Sequence, residues 1–221
     1  MDYMNLLAVL MRGTLTTLAL FGLIIVASIP GGLLLSLAAR SRVKPLVWLV
    51  NAFIFVMRGT PLMLQLMFVY FGVPFLPIIG PYIAIQDRFM AAVVAFSLNY
   101  AAYFAEIFRG GFLAVDKGQY EAAKVLGLNR VQTMIRVVFP QMIRVALPSV
   151  SNESMVLIKD TALVNVVGVI DLLETTQGQV DANASVVPYL FAAVIYLVLN
   201  TVLTFLFRFL EKKFSFESAQ N

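Results

Sequence analysis

Cysteine and histidine are both absent from the 221-residue sequence. Without cysteine there is no disulfide framework, thiol nucleophile or thiolate metal site. Without histidine the chain lacks the commonest metal ligand and the usual side chain for proton transfer near neutral pH. Charge is scarce as well. Charged residues make up 13% of the chain and hydrophobic residues 61%, whereas a soluble domain carries about 25% charge. Lipid is therefore the expected solvent. No nucleophile stands beside a base and no metal-ligand cluster is present, which argues against a membrane enzyme. No G-x-x-x-x-G-K-[ST] loop occurs, so the chain does not bind ATP by that route.

What is present is a series of long apolar runs. A helix crossing the hydrocarbon core needs about 20 mostly apolar residues. Five candidate spans fall at 14–39, 46–72, 89–109, 142–166 and 188–209 of a single transmembrane domain, 1–221. The expected fold class is an all-α membrane protein with five transmembrane helices. The opening MDYMNLLAVLMRG lacks a basic region and no A-x-A site follows the first run, so that run is expected to be a retained span. Pro30-Gly31-Gly32 within it marks a kink or a close helix contact. The fourth span is the least apolar, because it carries Glu153, Lys159 and Asp160.

The basic residues orient the spans, because Lys and Arg near span ends favour the cytoplasm. Arg40, Arg42 and Lys44 follow span one. Arg109, Lys117, Lys124, Arg130, Arg136 and Arg144 lie between spans three and four, and Arg208, Lys212 and Lys213 follow span five. These account for 12 of the 16 basic residues. The N-terminus is expected outside and the C-terminus in the cytoplasm of a bacterial inner membrane. The net charge of +4 is then a matter of topology and calls for no nucleic acid.

Arg58 conflicts with a regular second span, since a lone Arg at the bilayer centre costs at least about 2.5 kcal/mol. Gly59 and Pro61 also interrupt a helix there. Either 46–57 lies along the cytoplasmic interface and the span begins near Arg58, or the span is continuous and Arg58 faces the protein. The first solution is preferred, because it leaves Arg58 at the headgroups.

The loop at 111–141 reads as two short helices with a turn. Residues 118–126 suit a helix, Gly127 stands where a left-handed cap is wanted, and Asn129 is a candidate N-cap for the next helix. Pro140 is expected to end that helix. Glu121-Ala122-Ala123, Gly127 and Pro140 together resemble the EAA loop of ABC importer permeases. Val137 and Phe139 depart conservatively from the Ile and Leu of that signature. The phrases MRGTPLMLQLMFVYFG, NYAAYFAEIFRGG, GQYEAAKVLGL, FPQMIRVALP and IKDTALV look like the polar amino-acid branch of those permeases, the histidine, arginine and glutamine type.

The resemblance implies a type I ABC importer permease fold whose cytoplasmic loop is a coupling helix. It implies an ABC ATPase dimer, a second permease subunit, identical or related, and an extracytoplasmic solute-binding protein as partners. The substrate would be an amino acid. The chain itself would hold no cofactor or metal, with ATP and Mg belonging to the ATPase. Glu121, Ala122, Ala123, Gly127 and Pro140 would then form the coupling site: Ala122 and Ala123 small enough for close approach, Glu121 holding the loop, and Gly127 fixing its angle.

Ionisable groups inside spans are costly and usually face a pathway or a partner. Asn99, Tyr103 and Glu106 follow i, i+4, i+7 and share a helix face, as do Glu153, Leu157 and Asp160. Asn99, Glu153 and Asp160, with Ser154 and Thr161 nearby, are the expected substrate-pathway residues. Two acids suit an ammonium group and tilt the reading towards basic amino acids, with glutamine, glutamate and cystine close behind. Three local readings stand beside this one: a Glu106–Arg109 ion pair, Lys159 neutralising Asp160 or Glu153, and Asn99 tying two helices together. Competing functions are a stand-alone secondary transporter or channel for small polar solutes, and an assembly subunit that conducts nothing. The first should show internal inverted repeats, and none is evident.

Overall fold

The computed structural model describes residues 2–214, so the ends of the expected 1–221 domain lie outside the described residues. Every regular element among them is helical. Helix α1 (Tyr3–Ala38) starts eleven residues before the first apolar run. Two features set that start. Asp2 caps the helix by accepting the Met4 N–H at 3.0 Å, and Leu6 and Leu10 pack with Leu172 and Ala192 from the far end of the chain.

Helix α1 packs along the central helix α5 (Arg88–Leu113). The contact is made by small residues. A Cβ on Gly32 would lie 2.5 Å from the Phe104 Cβ and 2.9 Å from both the Ala101 carbonyl oxygen and the Ala105 nitrogen. Between two helices in lipid, small residues of this kind allow backbone approach and hence dispersion contact. The Pro30-Gly31-Gly32 signal therefore marks a close helix contact, with Pro30 inside an unbroken helix. Helix α5 begins at Asp87, which accepts the Met90 N–H at 2.7 Å, and buries Ala91, Ala92, Ala95, Ala101, Ala102 and Ala105.

Helix α2 (Lys44–Gly59) also packs on α5. Helix α3 (Leu62–Met67) continues through a π turn (Phe68–Gly72) and a 3-10 turn (Val73–Phe75). The two segments meet at Thr60-Pro61 with a bend of 109°, so 46–72 is not one straight helix. A short helix, α4 (Gly80–Ile83), leads into α5.

Past α5 come α6 (Lys117–Val125) and α7 (Arg130–Thr133), a π turn (Met134–Val138) and α8 (Phe139–Asp160). Helix α8 passes into a 3-10 segment (Thr161–Val167) that stops at Gly168, where φ is +79°. The chain then forms α9 (Leu172–Asn183) and α10 (Val187–Phe214). Helix α9 has no counterpart among the sequence expectations, because its segment is polar and short.

Among the described residues three helices, α1, α5 and α10, are long and apolar enough to cross a membrane, or four segments if the bent α2–α3 pair counts as one. Leu15, Val26 and Leu34 on α1 and Leu190, Leu197 and Phe205 on α10 point outward and are exposed. That outward apolar surface matches a lipid solvent. The α5 interior, by contrast, carries Phe96, Tyr100, Phe104 and Phe112, all fully buried.

Candidate functional site: a polar cavity and a coupling corner

The break after α2 leaves backbone carbonyls without helical partners, and amide side chains satisfy them. Gln65 Nε2 donates to the Met57 carbonyl at 2.9 Å and to Thr60 Oγ1 at 2.6 Å. Asn99 Nδ2 on α5 donates to the same Met57 carbonyl and to Gln65 Oε1, each at 2.9 Å. Irregular backbone at membrane depth requires this kind of satisfaction by neighbours. Asn99 thus ties α5 to the break. Both of these bonds use the amide nitrogen, and Asn99 also borders the adjoining cavity.

Arg58 lies just before the break. Its guanidinium sits over the Tyr103 ring, 5.3 Å from the centroid, and 3.6 Å from the Glu106 carboxylate. It therefore turns toward α5, as the continuous-span alternative requires, while the chain changes direction immediately after it. Arg109 also pairs with Glu106, with Nε at 3.0 Å, so the local ion pair expected from the sequence forms.

Above this charge network lies a cavity of about 270 Å³. Thr60, Asn99, Tyr100, Tyr103, Glu153 and Asp160 supply its polar wall. The two polar stripes, on α5 and α8, do meet. Tyr100 donates its hydroxyl to Asp160 Oδ2 at 2.7 Å. Glu153 is half-buried and accepts no hydrogen bond among the described residues, so its oxygens remain available. Lys159 is exposed and forms no ion pair within the described residues.

Ser154 and Thr161 are placed differently. Both are fully buried, and their hydroxyls donate to the Val150 and Ile158 carbonyls at 2.7 and 2.9 Å. They back the cavity without lining it. Glu106 shares the Asn99–Tyr103 stripe but lies with Arg58 and Arg109, outside the lining residues. Sequence reasoning passed over Tyr100 and Thr60, because an aromatic or a lone hydroxyl in a span has packing as its default role. Pro61, which breaks the helix beside Thr60, was the available signal.

The α6–α7 corner is built from two complete capping motifs. Gly127 adopts φ +75°. Its N–H donates to the Lys124 carbonyl, and the Leu128 N–H to the Ala123 carbonyl, each at 3.0 Å, which is the Schellman pattern. Asn129 then accepts the Gln132 N–H while Gln132 Oε1 accepts the Asn129 N–H, both at 2.9 Å, a capping box. Each motif is worth about 1 kcal/mol. Ala123 is buried beneath the corner, whereas Glu121 and Ala122 face outward.

Pro140 does not end the second helix. The Phe139 N–H donates to the Met134 carbonyl five residues back, so the backbone widens into a π turn and runs on as α8. Proline lacks an N–H to donate, and here it stands in the first turn of α8, where the register changes. The result is one helical path from α7 to Asp160.

Residues 28–216 match the family described as binding-protein-dependent transport system inner membrane component. The chain belongs to that family. Among its curated relatives is the arginine transport system permease protein ArtQ of Bacillus subtilis (strain 168). It is 40% identical over 195 residues, covering 86% of this chain and 87% of ArtQ. The L-cystine transport system permease protein TcyB of the same organism is 35% identical over 196 residues, covering 88% of this chain and 79% of TcyB.

A crystal structure of an amino acid ABC transporter with histidines is similar at 32% identity with a TM-score of 0.84. That match covers 96% of this chain and 99% of the other. An inward-facing methionine transporter, MetNI, shares the fold at 18% identity and a TM-score of 0.74, with 94% and 96% covered. As a member of this family the chain is an all-helical inner-membrane transport component. The corner at Gly127 and the cavity at Glu153 are therefore parts of a transport protein.

Proposed function

We propose that the chain is the permease subunit of an ATP-driven, binding-protein-dependent amino-acid importer, and that it favours basic amino acids. The observation that carries this is the meeting of Asn99, Glu153 and Asp160 on one cavity within a chain of this family. Two carboxylates and an amide oxygen present acceptors to an ammonium or guanidinium group. Burial excludes part of the water that would compete for it. Ser154 and Thr161 support the wall from behind. The relatives named for arginine and L-cystine transport, and the amino acid ABC transporter solved with histidines, support an amino-acid substrate, and the arginine relative a basic one.

In this reading the spans at 14–39, 46–72, 89–109, 142–166 and 188–209 run through α1, the bent α2–α3 pair, α5, α8 with its 3-10 extension, and α10; α8 is not among the helices long and apolar enough by composition alone. The basic residues favour an outside N-terminus. Partners in this reading are an ATPase dimer, a second permease subunit and an extracytoplasmic binding protein. ATP and Mg belong to the ATPase.

Glu121, Ala122, Ala123, Gly127 and Pro140 form the coupling element. Glu121 and Ala122 are exposed for contact, and the doubly capped corner resists bending. A push on α6 therefore passes through α7 and the π turn into α8, which carries Glu153 and Asp160. Reconstitution with the ATPase and binding protein tests the reading. ATP-dependent accumulation of arginine inside proteoliposomes is expected. Accumulation that proceeds without the ATPase subunit would instead support a stand-alone transporter.

A further inference from the structure

A second, larger cavity of about 880 Å³ lies where the end of α1 meets the α6–α7 corner. Arg40, Arg42, Lys124 and Arg130 line it, together with Tyr120 and Asn129, and no carboxylate does. Among the described residues both ion pairs belong to Glu106, so none of these four cations is neutralised by an acid there. Four like charges around one hollow repel one another, so the fold holds them there against that repulsion. The Arg40 guanidinium is stacked on the Phe112 ring, 4.9 Å from its centroid. Lys124 and Arg130 stand on either side of the capped Gly127 corner, and all four cations are exposed. The hollow thus gathers positive charge that an anion would neutralise, and its volume falls within the range of ligand sites.

Its surroundings distinguish a lipid from a soluble anion. Leu34 and Leu37 are exposed on the last turns of α1 leading to Arg40, and Val43, Leu46 and Trp48 are exposed just beyond Arg42. Basic side chains thus follow directly on apolar surface, the sequence of chemistries met by a phospholipid at the inner leaflet.

We propose that this cavity binds the phosphate-bearing headgroup of an anionic phospholipid, with the acyl chains lying along the end of α1. The inference rests on the orientation proposed above, which cysteine labelling from either side of the membrane tests separately. The lipid measurement uses the detergent-purified permease–ATPase complex, titrated in native mass spectrometry with phosphatidylglycerol, phosphatidylcholine and inorganic phosphate.

Phosphatidylglycerol is expected to bind at least ten-fold more tightly than phosphatidylcholine. Arg42→Gln with Arg130→Gln is expected to weaken it about 25-fold, at about five-fold per cation. Lys212→Gln with Lys213→Gln, outside the cavity, should leave it unchanged. If the first pair fails to assemble, Arg42→Gln with Lys124→Gln makes the same test. Equal binding of the two lipids, or phosphatidylglycerol affinity unmoved by either cavity pair, overturns the proposal. Displacement of the lipid by inorganic phosphate at comparable concentration overturns the lipid as the source of the anion. Loss of the ATPase from the cavity variants with lipid binding intact reassigns the surface to protein docking and overturns it too.

Discussion

Replacing Gly32 by Ala tests whether the α1–α5 contact holds the polar cavity in place. The added Cβ would meet the Phe104 Cβ at 2.5 Å, the Ala101 carbonyl oxygen at 2.9 Å and the Ala105 nitrogen at 2.9 Å. Two of these three neighbours are backbone atoms of a buried helix, so no side-chain rotation relieves them. The helices must separate by several tenths of an ångström, at a cost of about 1–3 kcal/mol. Helix propensity returns about 0.5–1 kcal/mol, which leaves a net loss of up to about 2.5 kcal/mol. For a chain of this size that lowers the melting temperature by up to about 10 °C. Gly22 supplies the control, because its added Cβ would meet nothing within 4 Å. Gly22→Ala should raise the melting temperature by about 1–4 °C. The assay is thermal unfolding of the purified complex, followed by size-exclusion chromatography after heating. Equal stability of the two variants would refute the close-contact argument.

Tyr100→Phe removes the hydroxyl that donates to Asp160 at 2.7 Å; a bond to a charged acceptor is worth about 1.5–3 kcal/mol, so a melting temperature within 1 °C of wild type contradicts the assignment, the expected fall being about 3–12 °C. Gly127→Ala meets no steric obstacle but forces a β-carbon into φ +75°; a cost of about 1–2 kcal/mol should reduce copurification of the ATPase, and Gly127→Asn should retain more of it than Gly127→Val. Glu106→Gln should lower stability by less than about 1 kcal/mol, because its partners Arg58 and Arg109 are 43% and 48% exposed; a loss of several kcal/mol, insensitive to salt, would show that the network is more deeply desolvated.

Features set by neighbouring residues were legible from the sequence. The Gly127 cap and the Asn129 N-cap depend on a few adjacent positions, and both form as expected. The stripes at Asn99–Tyr103 and Glu153–Asp160 follow from helical period alone, and their elements do meet. What packing decides was less legible. A polar side chain in an apolar run reads alike whether it faces a pathway or ties two helices, and Asn99 does the second at the edge of a cavity. Ser154 and Thr161 stand one residue beyond Glu153 and Asp160, off their stripe, and each bonds a carbonyl of its own chain.

Pro140 read as a stop, because proline in a helix interior removes a bond. The π turn ahead of it changes the register and lets the helix continue. Thr60-Pro61 signalled a break but carried no angle; the bend is 109°, and Gln65 and Asn99 bond the Met57 carbonyl beside it. Helix α9 was invisible, since its polar sequence has no apolar period and its place comes from packing on α1 and α10.

In the proposed function a basic amino acid crosses beside Glu153 and Asp160 under ATP drive. The most direct measurement is uptake of radiolabelled arginine by proteoliposomes holding the complete transporter, with ATP hydrolysis recorded in parallel. Glu153→Gln and Asp160→Asn, each nearly unchanged in volume, should reduce arginine uptake at least ten-fold while hydrolysis continues. Arginine uptake at the wild-type rate and affinity in both variants would contradict it.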